Sequence, residues 1–432
     1  MVTEVLPKRL LKPFKRMSMP RRTFDVCVVG MGYVGIPTAV ALALNGSHVC
    51  GVDTAATRVD QINSGILTIS ESGLSSDFEK CVKHGTIRAF LRPKPSNVFV
   101  ISVPTPINTE DKSPNLSHVF AAVDSIMDVL EKDNLVIVES TCPVGTTQEI
   151  IRQLEIKRPD LNFLSSGEID PDVSVVYCPE RVFPGNALEE ITKNKRVCGA
   201  AREICRVRAS NYFGKLSPDI EVNFTSINEA EVTKLAENCF RDVNIAFANE
   251  LSLLCLDFGI DVHNVISAAN QHPRVNILSP GPGVGGHCIP VDPYFLIYAN
   301  KKNTCLIQTA REVNDKKTDA VISAISDLGH KFKNKKIICC GLTFKPNVDD
   351  IRESPSLRIY NHLTSIFGNR VFAIDPFVDK KIDPKIQFLE PTYLEHSSDI
   401  LALLVDHDLF KEIKPTSNLI YDSRGVWSRN KV

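Results

Sequence analysis

Residues 24 to 53 constrain the fold more than any other stretch. Phe24 to Val29 (FDVCVV) is a short β-branched run and reads as a strand. It leads into Gly30-Met31-Gly32-Tyr33-Val34-Gly35. An apolar helical stretch from Ile36 to Leu44 follows and is stopped by Asn45-Gly46. A second strand, His48 to Val52, closes on Asp53. Strand, glycine turn, helix, strand and acid in that order form the first half of a dinucleotide-binding fold. Gly30 permits the tight turn, Gly32 lets the backbone meet a pyrophosphate, and Gly35 lets the helix pack on the sheet. The helix N-terminus offers free N–H groups and a positive dipole end to the phosphates. A carboxylate at Asp53 binds both ribose hydroxyls and repels a 2′-phosphate, so NAD is expected rather than NADP. Arg58 pulls the other way, since a nearby Arg accepts a 2′-phosphate.

More strand-like runs follow. Asn97 to Val103 ends in Pro104-Thr105-Pro106, and Leu135 to Glu139 ends in Ser140-Thr141-Cys142-Pro143. In an open α/β sheet ligands sit beyond the carboxyl ends of strands, so both turns are placed to line a crevice. Thr141 is a hydroxyl at such an end, or a cap for a helix over 146–154. Val175 to Tyr177 ends in Cys178-Pro179-Glu180-Arg181; Glu180 is an acid/base candidate, or a salt-bridge partner of Arg181.

From Ser226 to Gly259 there is no Gly or Pro before the stop, and Ser226 with Glu229 three residues on is a capping-box pattern. One helix of roughly 30 residues is predicted, on the order of 45 Å long, fit to bridge two domains and bury a dimer face. Lys234 and Asn238 share one face of it. Lys234 is either a surface ion-pair partner or an ammonium aimed at the next feature, the loop Pro280 to Pro293 (PGPGVGGHCIPVDP). Four glycines and four prolines forbid a regular helix or strand there. Inside this stiff loop sits Cys288, either a small buried apolar residue or a nucleophilic thiol, with His287 beside it and Asp292 four residues on. Arg274, upstream, is an anion-ligand candidate or a plain surface Arg.

The last third repeats the strand–turn–helix–strand order without the glycine fingerprint. Lys335 to Cys340 leads into Phe344-Lys345-Pro346 and on to Arg352, then a helix over 356–367 and a strand ending at Asp375. Lys345 and Arg352 stand where glycines would serve phosphate, which suits a second phosphorylated ligand held by charge-assisted bonds.

The chain has 432 residues, 43% hydrophobic and 23% charged, with a formal net charge of -1. That balance gives no electrostatic case for nucleic acid. No apolar run approaches the ~20 residues of a membrane span. Thirteen cysteines without CxxC pairs or zinc spacing predict reduced thiols, no metal site and a cytoplasmic protein. Residues 1–22, with KRLLKPFKR inside, read as a basic, poorly ordered tail.

Together GMGYVG, SVPTP, ESTCPVGT, the Lys234/Asn238 helix, GGHCIPVDP and FKPNVDDIRESP resemble the UDP-glucose/GDP-mannose dehydrogenase family, from about residue 24 to the C-terminus. YCPERVFPGN and NQHPRVNILSPGPGVGGHCIPVDP are most similar to its branch acting on UDP-N-acetyl-D-mannosamine. Pro184, where UDP-glucose enzymes usually carry a second glutamate, points the same way. The resemblance implies an α/β protein of two Rossmann-like doubly wound domains joined by a helical central domain with one long helix. The expected limits are 23–222 for the NAD domain, 223–318 for the central dimerisation domain and 319–432 for the UDP-sugar domain. It implies a homodimer or higher homo-oligomer supplying a surface polysaccharide precursor. Cys288, Lys234, Asn238, Asp292, Glu180 and Thr141 are implied as catalytic. Gly30, Gly32, Tyr33, Val34, Gly35, Asp53, Arg58, Pro104, Thr105, Thr141 and Arg352 are implied for NAD. Glu180, Arg181, Lys234, Asn238, Arg274, Gly285, His287, Phe344 and Lys345 are implied for the UDP-sugar.

Overall fold

The computed structural model describes residues 24–427, apart from 70, 72, 164–168, 183–184 and 381–382; the basic tail and Pro184 lie outside the described residues. In chain order the first unit comprises β1 (Phe24–Val29), α1 (Gly35–Leu44), β2 (Val49–Val52), α2 (Ala56–Asn63), α3 (Leu74–Lys83), β3 (Ile87–Phe90), β4 (Ser96–Ile101) and α4 (Ser117–Ile126). It continues with β5 (Leu135–Val138), α5 (Thr146–Lys157), β6 (Ser174–Tyr177), α6 (Ala187–Lys193), β7 (Arg196–Gly199), α7 (Glu203–Leu216) and β8 (Val222–Thr225). The strands lie in the order β3-β2-β1-β4-β5-β6-β7-β8. All neighbours are parallel except β6 and β7, which meet antiparallel at Tyr177 and Gly199.

Strands covered on both faces must be apolar on both. In β5, Leu135 and Ile137 pack with α1, α6 and α7, while Val136 and Val138 pack with α4 and α5. The strand order reverses between β1 and β4, which opens the crevice where a doubly wound sheet binds its ligand.

Next come α8 (Ile227–Asp257), α9 (Val262–Ala269), α10 (Asp292–Ala299) and α11 (Cys305–Lys331). The last unit holds β9 (Ile337–Cys340), α12 (Pro355–Phe367), β10 (Val371–Ile374), β11 (Ile400–Leu403), α13 (Asp408–Glu412) and β12 (Ile420–Asp422). Its four strands are all parallel, in the order β10-β9-β11-β12. The architecture is therefore α/β, two wound sheets joined by helices. Residue 222 is the first of strand β8, and α11 runs across residue 318.

The long helix forms as the uninterrupted stretch predicts. Ser226 Oγ accepts from the Glu229 N–H, and the Glu229 carboxylate accepts from the Ser226 N–H. At 31 residues α8 reaches from β6 and β7 to α10 and α11. Near its start Glu231 is fully buried, and its carboxylate accepts from the Gly145 N–H at 2.6 Å, the Thr147 N–H at 2.9 Å and the Thr147 hydroxyl at 2.7 Å. It thereby satisfies the free N–H groups that open α5.

Glu231→Ala would leave these donors buried and unpaired. It is expected to cost about 1–3 kcal/mol, read as an earlier urea midpoint by circular dichroism; an unchanged midpoint would refute this cap.

Candidate active site

The glycine turn has the shape that a dinucleotide requires. Gly30 has φ +102°, and a Cβ there would lie 2.2 Å from the Ser102 carbonyl oxygen. A Cβ on Gly35 would lie 1.9 Å from the Gly30 oxygen, so α1 could not pack down. A Cβ on Gly32 would meet nothing within 4 Å, which leaves the outer side of the turn open to a ligand. At the end of β2, Asp53 accepts from the Ala55 N–H and pairs with Arg58 at 3.1 Å. Arg58 is thus held by a carboxylate in a ribose-binding position. Nicotinamide dinucleotide fits this cradle: the turn would hold its pyrophosphate and Asp53 its ribose.

The turn opens into one cleft of ≈1130 Å³. Gly30, Gly32, Tyr33, Val34, Asp53 and Arg58 line one end, with Pro104, Thr105 and Thr141 from the ends of β4 and β5. Arg352 closes it from the last unit, its guanidinium 5.3 Å from the centre of the Tyr33 ring. Gly35 sits behind the turn.

Cys288, His287, Asp292 and Glu180 line the same cleft. The loop around Cys288 is irregular up to Val291, and Asp292 then opens α10. It is gripped from two sides. The Gly281 N–H donates to Asn249 of α8, and the Thr318 hydroxyl of α11 donates to the Pro282 carbonyl. From the last unit Arg424 donates to the Pro280 carbonyl. A Cβ on Gly285 would lie 2.6 Å from both the Glu353 carbonyl and Pro355, and one on Gly286 would lie 2.9 Å from the Phe344 ring. Phe344 therefore packs beneath the loop, directly against Gly285 and Gly286.

Two carboxylates, Asp292 and Glu180, and the Lys234 ammonium set the electrostatics. Asp292 is buried; burial pushes it up to about 7, with Glu180 adding and the Asn238 hydrogen bond and Lys234 opposing. Asn238 donates to Asp292 at 2.5 Å. Lys234 is buried too, donating to the Glu180 carbonyl at 2.8 Å with the Glu180 carboxylate 3.8 Å away. Cys288 is open to the cleft, yet desolvation pushes its thiol up to about 12; Asp292 and Glu180 add to this, and Lys234 and Arg241 oppose it. In this state Lys234 and Asn238 are engaged by carboxylates, and the thiol holds its proton at neutral pH.

Of the other expected residues, Arg181, Lys345 and Arg274 lie outside the cleft lining. Arg181 pairs with Glu237 of α8 rather than with Glu180. Lys345 is half-buried near Glu71, Glu190 and Arg241, and burial lowers its pKa. His287 pairs with Asp350 at 3.4 Å. Arg274 is exposed beyond α9 and is outside the cleft of its own chain. Among the cleft residues that the sequence reading did not single out is Glu139, read above as the last residue of a strand; it lies at the end of β5 and is buried. Only its position beside Ser140-Thr141 hints at this.

Iodoacetamide labelling of Cys288, followed on its own peptide, is expected to be slow at pH 7 and still rising at pH 10. Asp292→Asn removes a charge that disfavours the thiolate, so labelling at pH 8 should quicken about three- to tenfold. A rate already at its plateau at pH 7 would contradict this charge balance.

Among the described residues there is no cluster fit for a metal and no helix long and apolar enough to cross a membrane. The NAD binding domain of the UDP-glucose/GDP-mannose dehydrogenase family matches residues 24–217, its central domain residues 228–316 and its UDP binding domain residues 338–429. The chain is 43% identical over 416 residues to a UDP-N-acetyl-D-mannosamine dehydrogenase of Salmonella typhi, covering 93% of this chain and 99% of that one. It is 42% identical over 413 residues to an NDP-N-acetyl-D-galactosaminuronic acid dehydrogenase of Ralstonia nicotianae, covering 94% and 97%. Its fold superposes on the UDP-N-acetyl-mannosamine dehydrogenase of Staphylococcus aureus with a TM-score of 0.81 at 36% identity, covering 94% and 96%. The chain belongs to the UDP-glucose/GDP-mannose dehydrogenase family, enzymes that oxidise nucleotide sugars with NAD.

Proposed function

We propose that this enzyme oxidises the C6 alcohol of UDP-N-acetyl-D-mannosamine to the carboxylate, giving UDP-N-acetyl-D-mannosaminuronate. One observation carries the reading: Cys288, Asp292, Glu180 and Thr141 line the cleft into which the dinucleotide turn opens. A dehydrogenase that stopped at the aldehyde would not need a nucleophile there.

NAD, when bound, accepts a hydride in each of two rounds. The alcohol first gives up its proton and a hydride, leaving an aldehyde. The Cys288 sulfur bonds to C6, and the carbonyl oxygen takes up the thiol proton, giving a thiohemiacetal. Loss of the second hydride and that proton leaves a thioester. Water adds at C6, the C–S bond breaks, and Cys288 leaves as the thiol. Asp292, with a pKa near 7, is suited to take and return the protons. Lys234 and Asn238 stabilise the oxygen at C6 once the substrate draws them from Glu180 and Asp292. Glu180 and Thr141 order the water. Lys345, Phe344, Gly285, His287 and Arg181 frame the UDP-sugar pocket.

The reading extends to a homodimer. Phe240, Phe247 and Leu254 recur at seven-residue spacing on α8 and are 70%, 54% and 45% exposed. A face of this kind is covered by a second copy of the chain. Arg274, outside its own cleft, would then serve a neighbouring one.

Relatives of this chain are named for both mannosamine and galactosamine derivatives, so the sugar is the part to test. Steady-state kinetics with the UDP forms of N-acetylmannosamine, N-acetylglucosamine, N-acetylgalactosamine and glucose should favour the first, with two NADH per uronate. Preference for another sugar would overturn the substrate, and one NADH per turnover would overturn the thioester route. Cys288→Ala should form no uronate.

Phe240→Asp with Phe247→Asp should halve the mass by light scattering. An unchanged mass would move the interface off α8.

A further inference from the structure

Glu139 is used by none of the steps above. It follows β5, its backbone N–H donates to Ile101 of β4, and it is only 6% exposed. Its Oε2 has no hydrogen-bond partner among the described residues. A buried carboxylate oxygen without a partner is costly and calls for an explanation. The side chain lines the same cleft as Thr141, Glu180 and Cys288.

The topology says which part of the cofactor meets it. The dinucleotide crosses the sheet at the switch point between β1 and β4. Asp53 stands on the β2 side and would hold the adenosine ribose there. The nicotinamide end would then fall on the β4–β5–β6 side. That side holds Glu139 and faces Cys288.

We propose that Glu139 is a cofactor contact. Its free oxygen meets the nicotinamide end, accepts from the carboxamide N–H and, when ionised, favours the cationic oxidised ring over the neutral reduced one. The side chain would thus help NAD+ in and NADH out between the two oxidation rounds.

Charges around Glu139 are few. Burial pushes its pKa up to about 7; Arg196 of β7 and the Ser102 hydroxyl oppose this, and Glu180 beyond β6 adds to it. Tyr212 of α7, buried and itself pushed well above its usual pKa, is the other ionisable neighbour. The sign follows. The cationic ring favours the carboxylate, so NAD+ binds best above pH 7 and loses affinity as pH falls through that value. NADH lacks the charge and should bind almost independently of pH.

The test is binding, not turnover. NADH affinity is read from its own fluorescence and NAD+ affinity by competition with it, at pH 6 and pH 8. For the wild type, the NAD+ to NADH Kd ratio should rise about tenfold on going from pH 8 to pH 6. Glu139→Gln keeps the shape without the charge. At pH 8 it should weaken NAD+ about tenfold, change NADH by less than about twofold, and remove the pH dependence of the ratio. Glu139→Asp should keep that dependence. Equal weakening of both cofactor forms, or no change in either, would overturn the proposal. If the Gln variant does not fold, a flat wild-type ratio between pH 6 and pH 8 overturns it instead. None of these outcomes depends on which sugar is the substrate.

Discussion

The grip on the Cys288 loop is what the rest of the site depends on. A loop of Pro and Gly has no ladder of its own bonds, so its shape must come from outside. Inside the α8–α11 contact, Arg311 pairs with Asp242 at 2.7 Å, and Asn314 donates to the same carboxylate. Asn249 donates to Asn314 and accepts from the Gly281 N–H. Buried polar chains of this kind are directional, and they fix one arrangement where apolar packing would tolerate several. The last unit presses from the opposite side through Arg424, Pro355 and Phe344. Glycine is required at 285 and 286 because backbone and ring already fill the space a side chain would take.

Held this way, Cys288 faces more acid than base. A thiolate there, with Asp292 and Glu180 ionised nearby, would put like charges together with Lys234 and Arg241 in opposition. The free site avoids this by keeping the thiol protonated and Asp292 near its midpoint. Lys234 is spent on Glu180 and Asn238 on Asp292. A substrate oxygen that drew these donors away would free Asp292 to act as a base. Hydrogen bonds thus tie Glu180 to Lys234 and Asp292 to Asn238, with the thiol beside them in the same cleft.

What could be read from sequence was local. The glycine turn, the Ser226 capping box and the Pro/Gly loop each declare themselves within a few residues, and each forms where the pattern puts it. Thr141 and Glu180 follow because ligands gather at strand ends, and Cys288 and Asp292 because the Pro/Gly loop carries them. What could not be read is set by distant partners. β7 runs antiparallel to β6, a choice no short pattern encodes. Glu231 looks like a solvated helix residue, yet it caps a helix more than eighty positions earlier. Glu180 and Arg181 look like a local pair, but each finds its partner on α8. Glu139 reads as the end of an apolar strand. Its value lies in an oxygen left free, which sequence cannot show.

The last unit couples the two ends of the cleft. His287, next to the thiol, pairs with Asp350, and Asp350 takes a two-point bond from Arg352 at 2.9 and 2.7 Å. Arg352 in turn lies over Tyr33 of the cofactor turn. The loop that carries the thiol and the glycine turn are thus joined through three side chains. Although burial works against it, Asp350 is held well below the usual carboxylate range by its bonds from His287 and Arg352. It stays ionised through the range in which Asp292 and Glu139 titrate. Asp292 and Glu139 can therefore titrate while Asp350 keeps its bonds from Arg352, so protons move at one end of the cleft without loosening the other.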